Sequence, residues 1–452
     1  MMRGNTLVPM LRMGTHCLRR SASHVPRVVF PCRAWEQVIL ALMLAVALSA
    51  AAPAAAADDN ANWPEFRGPH ADGHSDAADL PLTWSETENV AWKTPIHDRG
   101  WSSPVIWGDQ IWLTTATADG HELFAVCVDR KNGKIVHDVK VFDVAEPAKI
   151  ASVNSYASPT PAIEEGRVYL HYGTYGTACL DTATAKTLWT RRDLNCDHHM
   201  GPGSSPILFE DLLIFHVDGT DVQYVVALDK RTGETAWRTD RSIDYSRVHQ
   251  FLRKAFCTPR VYRAGDRLEM VSPGAKAVIG YDPRSGEELW KVRYFGWSMV
   301  ARPLVGHGLL FVAMDYDHPE LWAIRPRGNG DVTETHVAWR LRQGAPSTPS
   351  LLLIDDLLYM VSDRGVAACV EANSGEPVWQ ERLGGNFSAS PLYADGRIYF
   401  FDHDGTATVM APGREPEILA RNHLGAECRA SPAAVGSALF VRTATDLYQI
   451  ED

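Results

Sequence analysis

The chain has 452 residues, a formal net charge of −11, 45% apolar residues and 22% charged residues. That apolar fraction excludes wholesale disorder, collagen and a multi-span membrane protein. The acidic balance excludes nucleic acid as a main partner, because phosphate binding needs clustered Lys and Arg.

Residues 1–37 carry six Arg and one acidic residue, Glu36. An apolar run follows from Val38 to Ala52, then Ala54-Ala55-Ala56-Ala57 before Asp58-Asp59. A basic region, an apolar core and an Ala-x-Ala site predict a secretory signal peptide over 1–57, cleaved near Ala57. The apolar core is shorter than the ~20 residues of a spanning helix, so the exported chain is expected to have no transmembrane span. Six Arg and Glu36 leave with the leader, which takes the formal charge from −11 to −16. Residues 58–88 are expected to form an N-terminal arm, and 89–452 a single domain.

That domain is a repeat. A small residue followed by Pro recurs at Ser103-Pro104, Ser158-Pro159, Ser205-Pro206, Thr258-Pro259, Arg302-Pro303 (after Ala301), Thr348-Pro349, Ser390-Pro391 and Ser431-Pro432. The steps are 55, 47, 53, 44, 46, 42 and 41 residues. Each mark is followed by two apolar stretches around a Gly or Asp turn, the signature of a hairpin. A third apolar stretch ends in an acidic residue, and a fourth carries Trp. The expected fourth-strand positions are Trp92, His137, Trp189, Trp237, Trp290, Trp339, Trp379 and Leu419. Four short strands repeated eight times predict an all-β, eight-bladed β-propeller of four-stranded antiparallel blades. The last repeat has room for three strands. An N-terminal strand at about 89–96 is therefore expected to pair with the last blade and close the ring.

The run Asp229-Lys230-Arg231-Thr232-Gly233-Glu234-Thr235-Ala236-Trp237 and its counterpart Asp282 to Trp290 resemble the repeat of pyrroloquinoline quinone-like propellers. Asp181 to Trp189 matches except that Ala185 stands for Gly, and Glu371 to Trp379 has Glu for Asp. The arm segment Trp63-Pro64-Glu65-Phe66-Arg67-Gly68-Pro69 is similar to that of large bacterial families of this kind. The resemblance is to the exported, non-catalytic branch, which includes a propeller lipoprotein of the outer-membrane protein assembly machine. The quinoprotein dehydrogenases of the same fold hold their cofactor beside an adjacent Cys-Cys pair, with Glu, Asn and Asp around calcium. No two Cys are adjacent here, and those acidic residues match no motif.

The sequence has no Gly-x-Ser-x-Gly, His-Glu-x-x-His, Cys-x-x-Cys, Walker loop or Gly-x-Gly-x-x-Gly, so no catalytic residue is assigned. Cys127, Cys179 and Cys369 share a third-strand position that wants a small residue, and are expected buried and unpaired. Pairing among Cys196, Cys257 and Cys428 is left open. Cys196 and His198 are weak candidates for a metal site, and none is expected. Loops entering the first strands of a propeller gather around its axis on one face. They carry Arg99 and Trp101, Asn154 and Tyr156, His198 and His199, His249 and Phe256, Trp297, Asn386 and Phe387, and Arg429. Aromatic and ionisable groups converging from eight directions predict a funnel that binds a ligand or partner.

The expected function is a non-catalytic scaffold of the cell envelope, periplasmic or extracellular, monomeric, recognising a protein, peptide or glycan. The alternative is a quinoprotein-like oxidoreductase using pyrroloquinoline quinone and calcium. No cofactor is expected.

Overall fold

The computed structural model describes residues 62–452. The predicted signal peptide lies outside the described residues.

The described chain forms eight antiparallel blades. Blade 1 runs Val105–Trp107, Gln110–Ala116, Glu122–Asp129 and Ile135–Asp143, paired in that order. Blades 2 to 7 repeat this order, starting at Ala162–Glu164, Ile207–Phe209, Arg260–Ala264, Leu304–Gly306, Leu352–Ile354 and Leu392–Ala394. Blade 8 takes three strands from the C-terminal segment and its fourth, Val90–Pro95, from the N-terminal side. Trp92 pairs with Gln449 and Lys93 with Tyr448. Blade 4 has a fifth strand: Gly330–Asp331, from an insertion in blade 5, pairs in parallel with Glu288–Arg293.

The repeated motif is a docking device. In blade 3 the Asp229 carboxylate accepts from the Arg231 and Thr232 amides and fixes the turn. Gly233 then adopts φ 75°, where a side chain is strained. The turn rests on Trp189 of blade 2, whose Nε1 donates to the Lys230 carbonyl at 3.0 Å. The same bond runs from Trp92 to Arg130, Trp237 to Pro283, Trp339 to Ala372 and Trp379 to Gly413. Trp290 departs from the pattern. The insertion replaces the turn of blade 5 that would face it, and its Nε1 donates to Glu269 inside blade 4.

Five of the six fourth-strand Trp lie across from a small third-strand residue: Cys179 opposite Trp189, Ala227 opposite Trp237, Gly280 opposite Trp290, Ala323 opposite Trp339 and Cys369 opposite Trp379, whereas Trp92 faces Gln449. Cys127 faces His137 in the same register. In blade 7 the position belongs to Ala420, opposite Val409, rather than to Leu419, because the turn there is one residue longer: Trp237 stands ten positions after its partner Ala227, and Ala420 eleven after Val409. The six described cysteines are all buried and free, including Cys196, Cys257 and Cys428.

Two strand marks also shift by two residues. Blade 2 enters at Thr160-Pro161 and blade 6 at Ser350-Leu351, not at Ser158-Pro159 and Thr348-Pro349. The reason is a belt of hydrogen bonds around the axis. The amide of each entry residue donates to the hydroxyl of the next blade's: Ser103 to Thr160, Thr160 to Ser205, Ser205 to Thr258. The belt resumes from Arg302 to Ser350, Ser390, Ser431 and back to Ser103, all at 2.9–3.1 Å. Blade 5 has Arg302 where the others have a hydroxyl.

Arg302 instead grips the arm. Its guanidinium lies 2.9 Å from the Glu65 carboxylate and donates to the Phe66 and Pro259 carbonyls. The arm crosses the far ends of the first strands. Trp63 exchanges backbone bonds with Ile106 of blade 1, and the Ile163 amide of blade 2 donates to Pro64. Arg67 donates to Leu351 and Pro391, and Arg260 to His70 and Ala71. Gly73 and Ser75 pair with Tyr393, and Ala78 donates to Gly436. One segment thus stitches blades 1, 2, 4, 5, 6, 7 and 8. Burial pulls Arg67 down to about 9 and Arg260 to about 10, and the guanidiniums repel one another.

Candidate functional site

On the other side of the hydroxyl belt lies a cavity of about 670 Å³. Phe66 of the arm borders it, so the cavity has a floor rather than opening through the ring. Ser103, Thr160, Ser205, Thr258, Ser390 and Ser431 of the belt line its base.

The entry loops bring seven of the twelve expected residues to this cavity: Trp101, Asn154, Phe256, Trp297, Asn386, Phe387 and Arg429. Trp101 is flanked by cations, with the Arg99 and Arg429 guanidiniums 5.1 and 5.7 Å from its ring. Lys276 stands 5.2 Å from the Trp297 ring. Asn154 has a structural task, donating to the Met200 and Pro202 carbonyls and accepting from Ser158. Arg429 is held by Glu427 at 2.6 Å.

The other five lie elsewhere. Arg99 borders a small side pocket and donates to Ser152. Tyr156 is buried, its hydroxyl on the Ala148 carbonyl. His199 stacks on Phe251 at 4.0 Å, and His249 tilts against the same ring at 5.2 Å. His198 turns the opposite way from His199 and packs against Gly173. Burial lowers its imidazole to about 4. Cys196 is buried and its thiol is pushed up by desolvation, first of all. Among the described residues no group of three His, Cys, Asp or Glu could hold a metal ion.

Lys254, Asp317, Asp363, Arg364 and His403 also line the cavity and were not expected there. All but Lys254 sit on turns between second and third strands. An antiparallel blade returns these turns to the same face as the entry loops. That topology was the available signal. Asp363 accepts from the Ser347 and Thr348 amides, and His403 Nε2 bonds the Ser388 hydroxyl at 2.8 Å.

A quinone with calcium would need a cysteine pair against the ring and convergent acidic ligands. No cysteine borders the cavity. Of its two carboxylates, Asp363 is committed to backbone amides. These residues do not fit that group. Among the described residues no helix is long and apolar enough to cross a membrane.

The solved structures similar to this one include BamB from Moraxella catarrhalis, at TM-score 0.53 and 14% identity, covering 80% of this chain and 99% of that one. The quinohemoprotein alcohol dehydrogenase of Comamonas testosteroni gives TM-score 0.61 and 11% identity, covering 90% of this chain and 83% of that one. At such identities the likeness is one of fold. The outer membrane protein assembly factor BamB of Moranella endobia (strain PCIT) is 25% identical over 201 residues, 41% of this chain. The match spans 49% of that protein, so the chain covers about half the length of this curated relative. The family model described as outer membrane protein assembly factor BamB matches residues 82–223, 221–354 and 337–414. With three quarters of its length under that model, and the eight-bladed ring the repeat calls for, the chain belongs to this family.

Proposed function

We infer that this chain is an exported, non-catalytic propeller that holds another envelope protein against its funnel face, in the service of outer-membrane assembly. One observation carries this reading: a floored cavity of about 670 Å³, walled by aromatic side chains and bordered by the exposed Val153 and Tyr316. Its lining holds one serine–histidine contact, Ser388 with His403 Nε2 at 2.8 Å, but among the described residues no carboxylate bonds that imidazole and no cluster could hold a metal ion. Concave aromatic sites with a few placed polar groups bind ligands and anchor partners. The relatives named for outer membrane protein assembly support the setting. The predicted leader supports export to the periplasm or beyond.

The test is a photo-crosslinking residue placed at Val153 on the cavity wall or at Ile418 on the outer strand of blade 7, in the full chain in its own host. An adduct with an outer-membrane or periplasmic protein from Val153 and not from Ile418 is expected. Trp101→Ala with Phe387→Ala should abolish it without unfolding the ring. Equal adducts from both positions, or persistence in the double variant, would overturn the reading.

A further inference from the structure

Lys254 is 6% exposed and lines the cavity. Its ammonium donates to the Phe251 carbonyl at 2.6 Å, and none of the described ion pairs includes it. A buried ammonium has three donors and is costly to leave without a counter-charge. Desolvation accordingly lowers its pKa, with Asp317 too distant to pair but still opposing the shift. A second donor in the cavity lining, Trp101 Nε1 in the loop entering blade 1, is buried without an acceptor. Arg364, on a blade 6 turn in the same lining, is exposed and belongs to none of the described ion pairs. The chain as a whole is acidic, so unpaired cations at this one concavity run against its general charge. The rim is apolar: Val153 is 53% and Tyr316 48% exposed, and both border the cavity.

The geometry points to an extended, acidic peptide segment of a partner protein as the occupant, one carboxylate seated on Lys254 and apolar side chains against Val153 and Tyr316. This rests on the scaffold reading and names what that scaffold grips. Charge complementarity supplies the specificity and the apolar rim the contact area.

The test titrates the full exported chain, by tryptophan fluorescence, with a capped hexapeptide alternating leucine and glutamate. Its glutamine and lysine counterparts and an oligogalacturonate of equal charge serve as the other arms. The glutamate peptide should bind about tenfold more tightly than the glutamine one, with affinity falling as salt rises. Lys254→Met should erase that preference and Lys254→Arg should keep it. Removing an unpaired buried charge should leave thermal stability equal or higher, so a folding failure is not the expected confounder. Equal binding of glutamate and glutamine peptides, or a preference that survives Lys254→Met, would overturn the proposal. Tighter binding of the oligogalacturonate would reassign the site to acidic glycans. If the Val153 adduct forms while no peptide preference exists, the scaffold reading stands and this inference falls.

Discussion

The periphery of the ring and its axis are built by opposite rules. At the periphery, one device recurs: a tryptophan of one blade under the acidic turn of the next, with Nε1 on a turn carbonyl. At the axis, repetition is broken once, where Arg302 interrupts the hydroxyl belt and binds the arm. Repetition closes a ring but also leaves a hole through it. The single departure lets a non-repeated segment fill one end and turn a channel into a pocket.

The comparison predicts where damage spreads. Trp237→Ala removes a buried ring and its bond to Pro283 and opens the seam between blades 3 and 4. A loss of about 3–5 kcal/mol is expected in denaturant unfolding. A loss below about 1 kcal/mol would show that the seams do not hold the ring together. Arg302→Met should cost about 3 kcal/mol, because Glu65 is left without its counter-charge. Its distinguishing readout is local. Proteolysis in 63–80 should accelerate while the blades stay protected. Uniform loss of protection would make the arm part of one cooperative unit instead.

The difference also explains what could be read in advance. The blades were legible because each must bury both faces against neighbours in the same way, and that constraint writes one pattern around the ring, with Trp in six of its eight fourth-strand positions. Misreadings fall where a local feature mimics or hides the repeat. Ser158-Pro159-Thr160-Pro161 offers two marks, and the belt takes the second. Ser350 lacks a following proline and shows no mark. One extra turn residue moves the blade 7 position from Leu419 to Ala420. The cavity was legible in its entry loops but not in Asp317, Asp363, Arg364 or His403. These lie on turns whose face follows from strand order rather than from any motif. The arm was visible as a segment, but nothing repeated in it says that Phe66 stops the axis.

Acid should find a third kind of region, between blades 2 and 3. His171, His198 and His216 are buried there. Burial, ahead of any charge effect, lowers His171 to about 3 and His198 to about 4, against an ordinary 6.5. A depressed imidazole is neutral in the fold and gains its proton on unfolding. Its contribution is therefore complete above pH 6.5 and is lost as pH falls from there toward the folded values. Each histidine costs about 1.4 kcal/mol per pH unit in that window, or about 2 kcal/mol between pH 6.5 and 5. Denaturation midpoints measured across this range check it, and His198→Gln should flatten the slope by about one proton. An unchanged midpoint down to pH 5 would mean that these sites are hydrated.

The smallest effect sharpens the peripheral rule at the seam between blades 1 and 2, where histidine stands for tryptophan. The turns of blades 1, 3, 4 and 6 carry Gly133, Gly233, Gly286 and Gly375, each at φ 70–75° and each against the tryptophan of the preceding blade. Blade 2 has Ala185 at φ 53°, donating to Asp181 as Gly233 does to Asp229. The preceding blade there carries His137, not tryptophan. A smaller ring leaves room for a methyl, so the two departures belong together. Ala185→Gly relieves a left-handed alanine but empties the space of its methyl, and should change stability by less than about 1 kcal/mol. His137→Trp alone should cost about 1 kcal/mol by overpacking against that methyl. Together they restore the common seam, and a double-mutant cycle should give a favourable coupling of about 1 kcal/mol. Additive effects would show that the seam between blades 1 and 2 is held by something other than the device its neighbours share.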